Sequence, residues 1–289
     1  MSAMMAHLDS TNPNPTLTSD KIIPVRHYGR IIGSAIAVLL CAQFLYSFVM
    51  SPYLDWDTVR QYLFNGAVLN GLMVSLQLTV IAMVASLLVA ILIAIMRTSP
   101  SKIISAIAGI YVFIFRGVPL LVILIVIGNL GLFYKRVHIG IPFTDITFYS
   151  APIQQLLTPF VASVIGLTLS ASAYMSEIVR SGLLAINRGQ HAASKALGMN
   201  SWMTLRYIVL PQALRVITPP LGNEFVNVLK ATSLVSVIAG GDLLTITQSI
   251  AGSNYRTIEM MIVATIWYLV VISIVSVFQN VLERKMAEK

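Results

Sequence analysis

Charge is scarce in this sequence. Only 10% of its 289 residues are Asp, Glu, Lys or Arg, against 57% hydrophobic residues and a mean hydropathy of +0.83. So few polar side chains cannot cover a soluble domain of this length, which excludes a water-exposed globule and makes lipid the expected solvent. Cysteine is reduced to Cys41, inside the first apolar run, so no intramolecular disulfide is possible. The four histidines, His7, His27, His138 and His191, all fall outside the apolar runs, and no His-Glu-x-x-His spacing occurs. No metal or other cofactor is therefore implied, and an intramembrane serine protease would lack its base. A Gly-x-x-x-x-Gly-Lys-Ser/Thr phosphate loop is missing too, so this chain is not itself an ATP-hydrolysing enzyme.

What is present is a set of long apolar runs. Six stretches, 30–50, 67–96, 103–134, 158–179, 216–238 and 259–282, are each long enough to cross a bilayer as a helix. The third is expected to bend at Arg116, Gly117 and Pro119. A cleaved signal peptide is not expected, because the first run exceeds an h-region and ends without a small-residue site. The Ser10–Ser19 tract is rich in Thr, Asn and Pro and cannot build a core, so residues 1–29 read as a disordered cytoplasmic segment. No tandem repeat is evident. The methionines are scattered through the spans and read as adaptable packing.

The net charge of +8 does not point to nucleic acid, because the cations lie between apolar runs rather than in a stripe. They are sorted by side. Segments 1–30, 97–102, 180–215 and the tail 283–289 carry thirteen Lys and Arg; the alternate connections carry four, Arg60, Lys135, Arg136 and Arg256. By the positive-inside rule, both termini and segment 180–215 are cytoplasmic.

Segment 180–215 is too long for a tight turn between membrane helices. Gln190–Leu197 reads as a short helix between Gly189 and Gly198, and Trp202–Val209 as a second one that stops before Pro211. Such a helix on the cytoplasmic face is either a docking knob or an ordinary interfacial helix. Its residues, Gly189-Gln190-His191-Ala192-Ala193-Ser194-Lys195-Ala196-Leu197-Gly198 followed by Leu210-Pro211-Gln212-Ala213, resemble the loop of ABC importer permeases. Asn70-Gly71 with Ser75-Leu76, Arg116-Gly117-Val118-Pro119-Leu120-Leu121, Ala173-Tyr174-x-x-Glu177-Ile178-x-Arg180 and Asn223–Lys230 with Thr232-Ser233-Leu234 are similar to the polar amino acid branch.

The resemblance, which runs from about Asn70 to the C-terminus, implies an all-α membrane protein with six transmembrane helices. Five form a type I ABC importer permease core over 67–282, and one is an extra N-terminal helix within 30–66. It implies a permease subunit in a bacterial cytoplasmic membrane that moves polar amino acids or related derivatives by alternating access. Its partners would be two ATPase subunits, an external solute-binding protein and a second permease subunit. Gly189, Gln190, Ala192, Ala193, Ser194, Leu197 and Gly198 would form the ATPase-coupling surface, with the two glycines permitting the turns at its ends. Two departures stand out. Ala192 occupies the position of the signature Glu and Ser194 that of an Ala, which modestly favours a non-identical partner permease.

In the fifth span Asn223, Asn227, Lys230 and Leu234 follow a spacing of four, three and four, so three polar side chains share one helix face. A Lys at bilayer depth costs about 2.5–3.5 kcal/mol on insertion scales, so burial in protein or an aqueous path is expected. Asn223, Asn227, Lys230 and, near the end of span four, Glu177 are candidates for the solute path or gate; pairing that holds two subunits together and snorkelling toward water are the competing roles. Glu224 reads as structural. Pro219 and Pro220 are expected in the first turn of this helix. A secondary carrier or channel working without an ATPase would account for the charges in span five but not for a docking-shaped loop.

Overall fold

The computed structural model describes residues 28–140 and 147–287. Most of the segment expected to be disordered, residues 1–27, and the last two residues lie outside that description. The chain divides into two units, residues 1–54 and 55–289. In the first, α1 (Tyr28–Val49) carries the first apolar run and is exposed along its described length, as expected of a helix whose solvent is lipid.

The second unit begins with α2 (Trp56–Leu63), capped by Asp55, whose carboxylate accepts from the backbone N–H groups of Asp57 and Thr58. Next comes α3 (Gly66–Arg97), which matches the second run and is capped by Asn65. The third run is broken: α4 (Lys102–Gly117) and α5 (Leu120–Gly128) meet at 100°. The break falls at Val118 and Pro119, where the proline removes a donor and forces the residue before it out of the helical region; Val118 is extended at φ −87°, ψ 130°. A short α6 (Leu130–Phe133) leads into the one sheet among the described residues, a hairpin of β1 (Arg136–Gly140) and β2 (Thr147–Pro152), paired Val137 to Ala151 with an irregularity at Ile139/Gly140. After α7 (Ile153–Leu156), α8 (Pro159–Leu184) returns through the bundle with proline in its first turn and Thr158 as cap.

Beyond α8 lie α9 (Arg188–Ala196), α10 (Ser201–Met203), a π-helical turn over Thr204–Val209, α11 (Leu210–Ala231), a 3₁₀ stretch over Thr232–Ile238, α12 (Leu243–Asn254) and α13 (Thr257–Ala287). Four single helices and two bent pairs, 102–128 and 201–254, are long and apolar enough to make six spans among the described residues. Two expectations are corrected here. The helix does not stop before Pro211 but runs through it, and Pro219 and Pro220 therefore sit in the helix interior rather than its first turn.

Small residues hold the bundle together. Lipid is as apolar as leucine, so helices associate by close packing rather than by hydrophobic burial. On α3 the buried positions include Ala82, Ser86 and Ala90; on α8 they include Ser163, Gly166, Ala171, Ser172 and Ala173. A Cβ on Gly166 would stand 2.7 Å from Leu124 Cδ2, so only glycine lets α5 seat against α8. Cross-helix hydrogen bonds add to this: Ser86 Oγ donates to the Thr168 carbonyl at 3.4 Å, and Tyr111 Oη lies 2.7 Å from Ser172 Oγ. The central core joins Leu78, Leu124, Leu167, Met175, Val228 and Val235, from α3, α5, α8, α11 and the 3₁₀ stretch.

Candidate coupling surface and solute path

The loop after α8 is built to present one short helix. Asn187 caps α9, its Oδ1 accepting from Gly189 N–H at 2.7 Å. At the other end Gly198 takes φ +72°, and two bonds close the turn: Gly198 N–H to the Lys195 carbonyl and Met199 N–H to the Ser194 carbonyl, both 3.0 Å. This pairing ends a helix with a left-handed residue that glycine adopts without strain. Gly189 plays no such part. It lies within the first helical turn with no positive φ, so the expectation that it permits a turn is corrected.

Along α9 and its cap, Gln190, Ala192, Ala193, Leu197 and Gly198 are exposed, Leu197 at 79%. Ser194 is the exception at 3%, turned inward with its Oγ donating to the His191 carbonyl at 3.0 Å. The two departures from the resembled pattern thus separate: Ala192 lies on the outward surface, Ser194 beneath it.

Below α9 the π turn explains how the helix survives Pro211. Leu210 N–H bonds to the Leu205 carbonyl, five residues back, and the widened turn relieves the clash a proline ring makes with the carbonyl four residues before it. One continuous helical rod therefore runs from Ser201, beside α9, to Ala231 in the bundle.

Glu177 is tied down by charge. Its Oε2 accepts from Arg180 Nη2 at 2.6 Å and Nε at 2.9 Å, and Arg97 Nε stands 3.6 Å from Oε1. Arg116 closes the group, its guanidinium 5.1 Å from the centre of the Tyr174 ring, while Tyr174 Oη donates to the Arg116 carbonyl at 3.4 Å. The cluster pins the end of α3, the α4/α5 break and the last turns of α8 to one another. Arg97 was missed as a site residue in the sequence because its partner lies on another helix.

Asn223, Asn227 and Lys230 occupy an exposed face of α11, as their spacing predicts. Gln279 Nε2 of α13 donates to Asn223 Oδ1 at 3.1 Å, and Asn227 Nδ2 donates to Glu224 Oε2 at 3.2 Å. Lys230 has no carboxylate within 4 Å among the described residues. Glu224 joins Asn227, Tyr174 and Ser170 around a small recess of about 80 Å³ between α11 and α8. No cation pairs with Glu224 among the described residues, so the recess holds a carboxylate whose charge is met only by the Asn227 amide, with Ser170 and Tyr174 also in its lining. Ser170 and Tyr174 lie four apart on one face of α8, a helical spacing legible in the sequence but silent about what it faces.

Residues 86–288 match the family described as binding-protein-dependent transport system inner membrane component. The chain belongs to that family. Among curated relatives, the arginine transport system permease protein ArgU of Corynebacterium glutamicum is 41% identical over 90% of this chain and 81% of its own length. The glutamine transport system permease protein GlnP of Escherichia coli is 30% identical over 80% of this chain and 97% of its own. Among solved structures, an amino acid ABC transporter with histidines shares 33% identity at a TM-score of 0.67, covering 80% of this chain and 99% of that one. The methionine transporter MetNI, at 18% identity and a TM-score of 0.58, supports the fold alone. This is a multi-pass permease subunit of an ABC importer, working with a solute-binding protein and with ATPase subunits that carry out the hydrolysis.

Proposed function

We propose that this subunit moves polar amino acids through a path walled by α8 and α11, with Glu224 as the group that meets the substrate's positive charge. The observation that carries this is the recess in which Glu224, Asn227, Tyr174 and Ser170 converge without a paired cation. An amino acid does not fit in about 80 Å³, so the recess is one wall of a path that a second permease subunit completes. Asn223 and Lys230 line the neighbouring face. The 41% identity to an arginine permease favours a cationic amino acid. Glu177, neutralised by two arginines, is a structural anchor of the gate region rather than a ligand.

Two ATPase subunits grip the exposed residues Gln190, Ala192, Ala193 and Leu197 of the α9 helices, and the rod from Ser201 to Ala231 carries their motion to the path. Both termini and α9 lie on the cytoplasmic side of the bacterial inner membrane, a reading supported by the thirteen-to-four sorting of Lys and Arg. Ala192 in place of Glu supports a second permease subunit of different sequence; co-purification of two differently tagged copies of this chain would argue against that pairing. The main test is uptake of radiolabelled amino acids by vesicles holding the complete transporter. ATP-dependent uptake of a polar amino acid that is lost in Glu224→Gln supports the reading, and uptake unchanged by that substitution refutes it.

A further inference from the structure

On the other side of α11 from the polar face lies an apolar groove of about 480 Å³, between α11 and α13. Its walls are Leu221 and Phe225 of α11 with Ile274, Phe278 and Leu282 of α13. Gln279 and Glu283 edge it and bond to each other at 2.8 Å. At 3.6 residues per turn, the groove face and the Asn223–Lys230 face point about 150° apart around α11. Gln279, which edges the groove, also donates to Asn223 Oδ1 at 3.1 Å, so α13 stands between the groove and the polar face, and with the path and second subunit on that face the groove opens away from them.

The helix stripes that line this groove end in cations at the same end. On α11, Arg215, Thr218, Gly222 and Phe225 follow a spacing of three, four and three; on α13, Ile274, Phe278, Leu282 and Lys285 follow four, four and three. Because α11 and α13 run in opposite directions, Arg215 and Lys285 each fall about one turn beyond the lining residues at the same end of the groove, the end edged by Glu283, whose carboxylate accepts from Gln279. Both are exposed, and neither forms an ion pair among the described residues. An apolar slot opening between two unpaired cations matches one occupant in charge and polarity.

We propose that this groove binds an anionic phospholipid of the cytoplasmic leaflet, one acyl chain lying between α11 and α13 and the phosphate against Arg215 and Lys285. Both the leaflet and the groove's exposure to lipid rest on the function and orientation proposed above. A lipid wedged there bridges the helix that carries the path's polar residues to the last helix of the chain, so its occupancy would bias how far the two separate.

The assembled transporter in nanodiscs containing photoactivatable phosphatidylglycerol or phosphatidylcholine tests this. Phosphatidylglycerol is expected to label the peptides holding Phe225 and Phe278. Arg215→Gln and Lys285→Gln should each lower that labelling roughly fivefold while phosphatidylcholine labelling stays as it was. Leu221→Trp, which fills the slot, should abolish both. Equal labelling by the two lipids in the unsubstituted protein, labelling indifferent to these substitutions, or a disulfide from Phe278→Cys to a second permease subunit overturns the proposal. Reaction of Leu197→Cys with an impermeant thiol reagent from the cytoplasmic side reads orientation separately, so an error in sidedness is distinguishable from failure of the lipid site.

Discussion

Glu177 and Glu224 carry the same side chain on neighbouring helices of one bundle, yet their surroundings differ in kind. Glu177 is held by Arg180 and Arg97, with Arg116 nearby. Glu224 accepts from the Asn227 amide, has no ion-pair partner among the described residues and lines a recess. A carboxylate already matched by cations holds structure; one left unmatched at membrane depth is worth its insertion cost only if something else meets it. The contrast separates a matched carboxylate from an unmatched one, which charge and position in the sequence do not.

The sharpest way to break this contrast is to neutralise each acid. Glu224→Gln keeps shape and removes charge, so thermal stability in detergent should hold or rise slightly while transport of a cationic amino acid falls at least about tenfold, as for loss of a desolvated charged contact. Glu177→Ala should do the reverse. It strands partly buried arginines, and a loss of about 2 kcal/mol is expected, below the roughly 3–5 of fully buried pairs because these side chains are 20–32% exposed. A thermal melt reads it, and Glu177→Asp should recover part of the loss.

A second tier of variants sharpens the difference between the surface that couples and the bundle that is moved. Ala193→Trp on exposed α9 should leave the melt unchanged but uncouple ATP hydrolysis from uptake; normal coupling would remove α9 from the docking role. Gly198→Val strains a residue at φ +72° by about 1–2 kcal/mol and should lower coupling as well. Gly166→Ala drives a methyl into Leu124 and should cost about 1–3 kcal/mol of bundle stability.

The smallest effect lies at the opposite end of the bundle. Hydrogen bonds from Thr58, aided by Arg256 at 3.7 Å, hold the Asp55 carboxyl below its ordinary value of 3.8. A depressed folded-state value means that the cap's contribution is intact above about pH 4 and is lost as pH falls through that lowered value. Acid lability of α2 docking should disappear in Asp55→Asn, measured by tryptophan fluorescence of Trp56.

Much of this was legible in the residues. Apolar run length marked the six spans because a bilayer imposes a minimum length on any helix that crosses it. The break after Gly117 was legible because proline acts through its own covalent geometry. Continuation through Pro211 was not, because the six-residue π turn over Thr204–Val209 is a response of the backbone to its neighbours. Ser194 and Ala192 look alike as departures from a pattern, and only the fold turns one in and one out.

The sequence by itself determined that the chain lives in lipid, how often it crosses, which loops carry the cations and that Asn223, Asn227 and Lys230 share a face. Each of these is a local or cumulative property: length, hydropathy, charge count and helical period. Tertiary structure alone decided that Arg97 stands 3.6 Å from Glu177, that Glu224 and Tyr174 line one recess, and that the apolar stripes of α11 and α13 line one groove. Those are pairings between helices far apart in the chain, set by close packing of small residues such as Gly166, and periodicity within one helix contains no information about its partner.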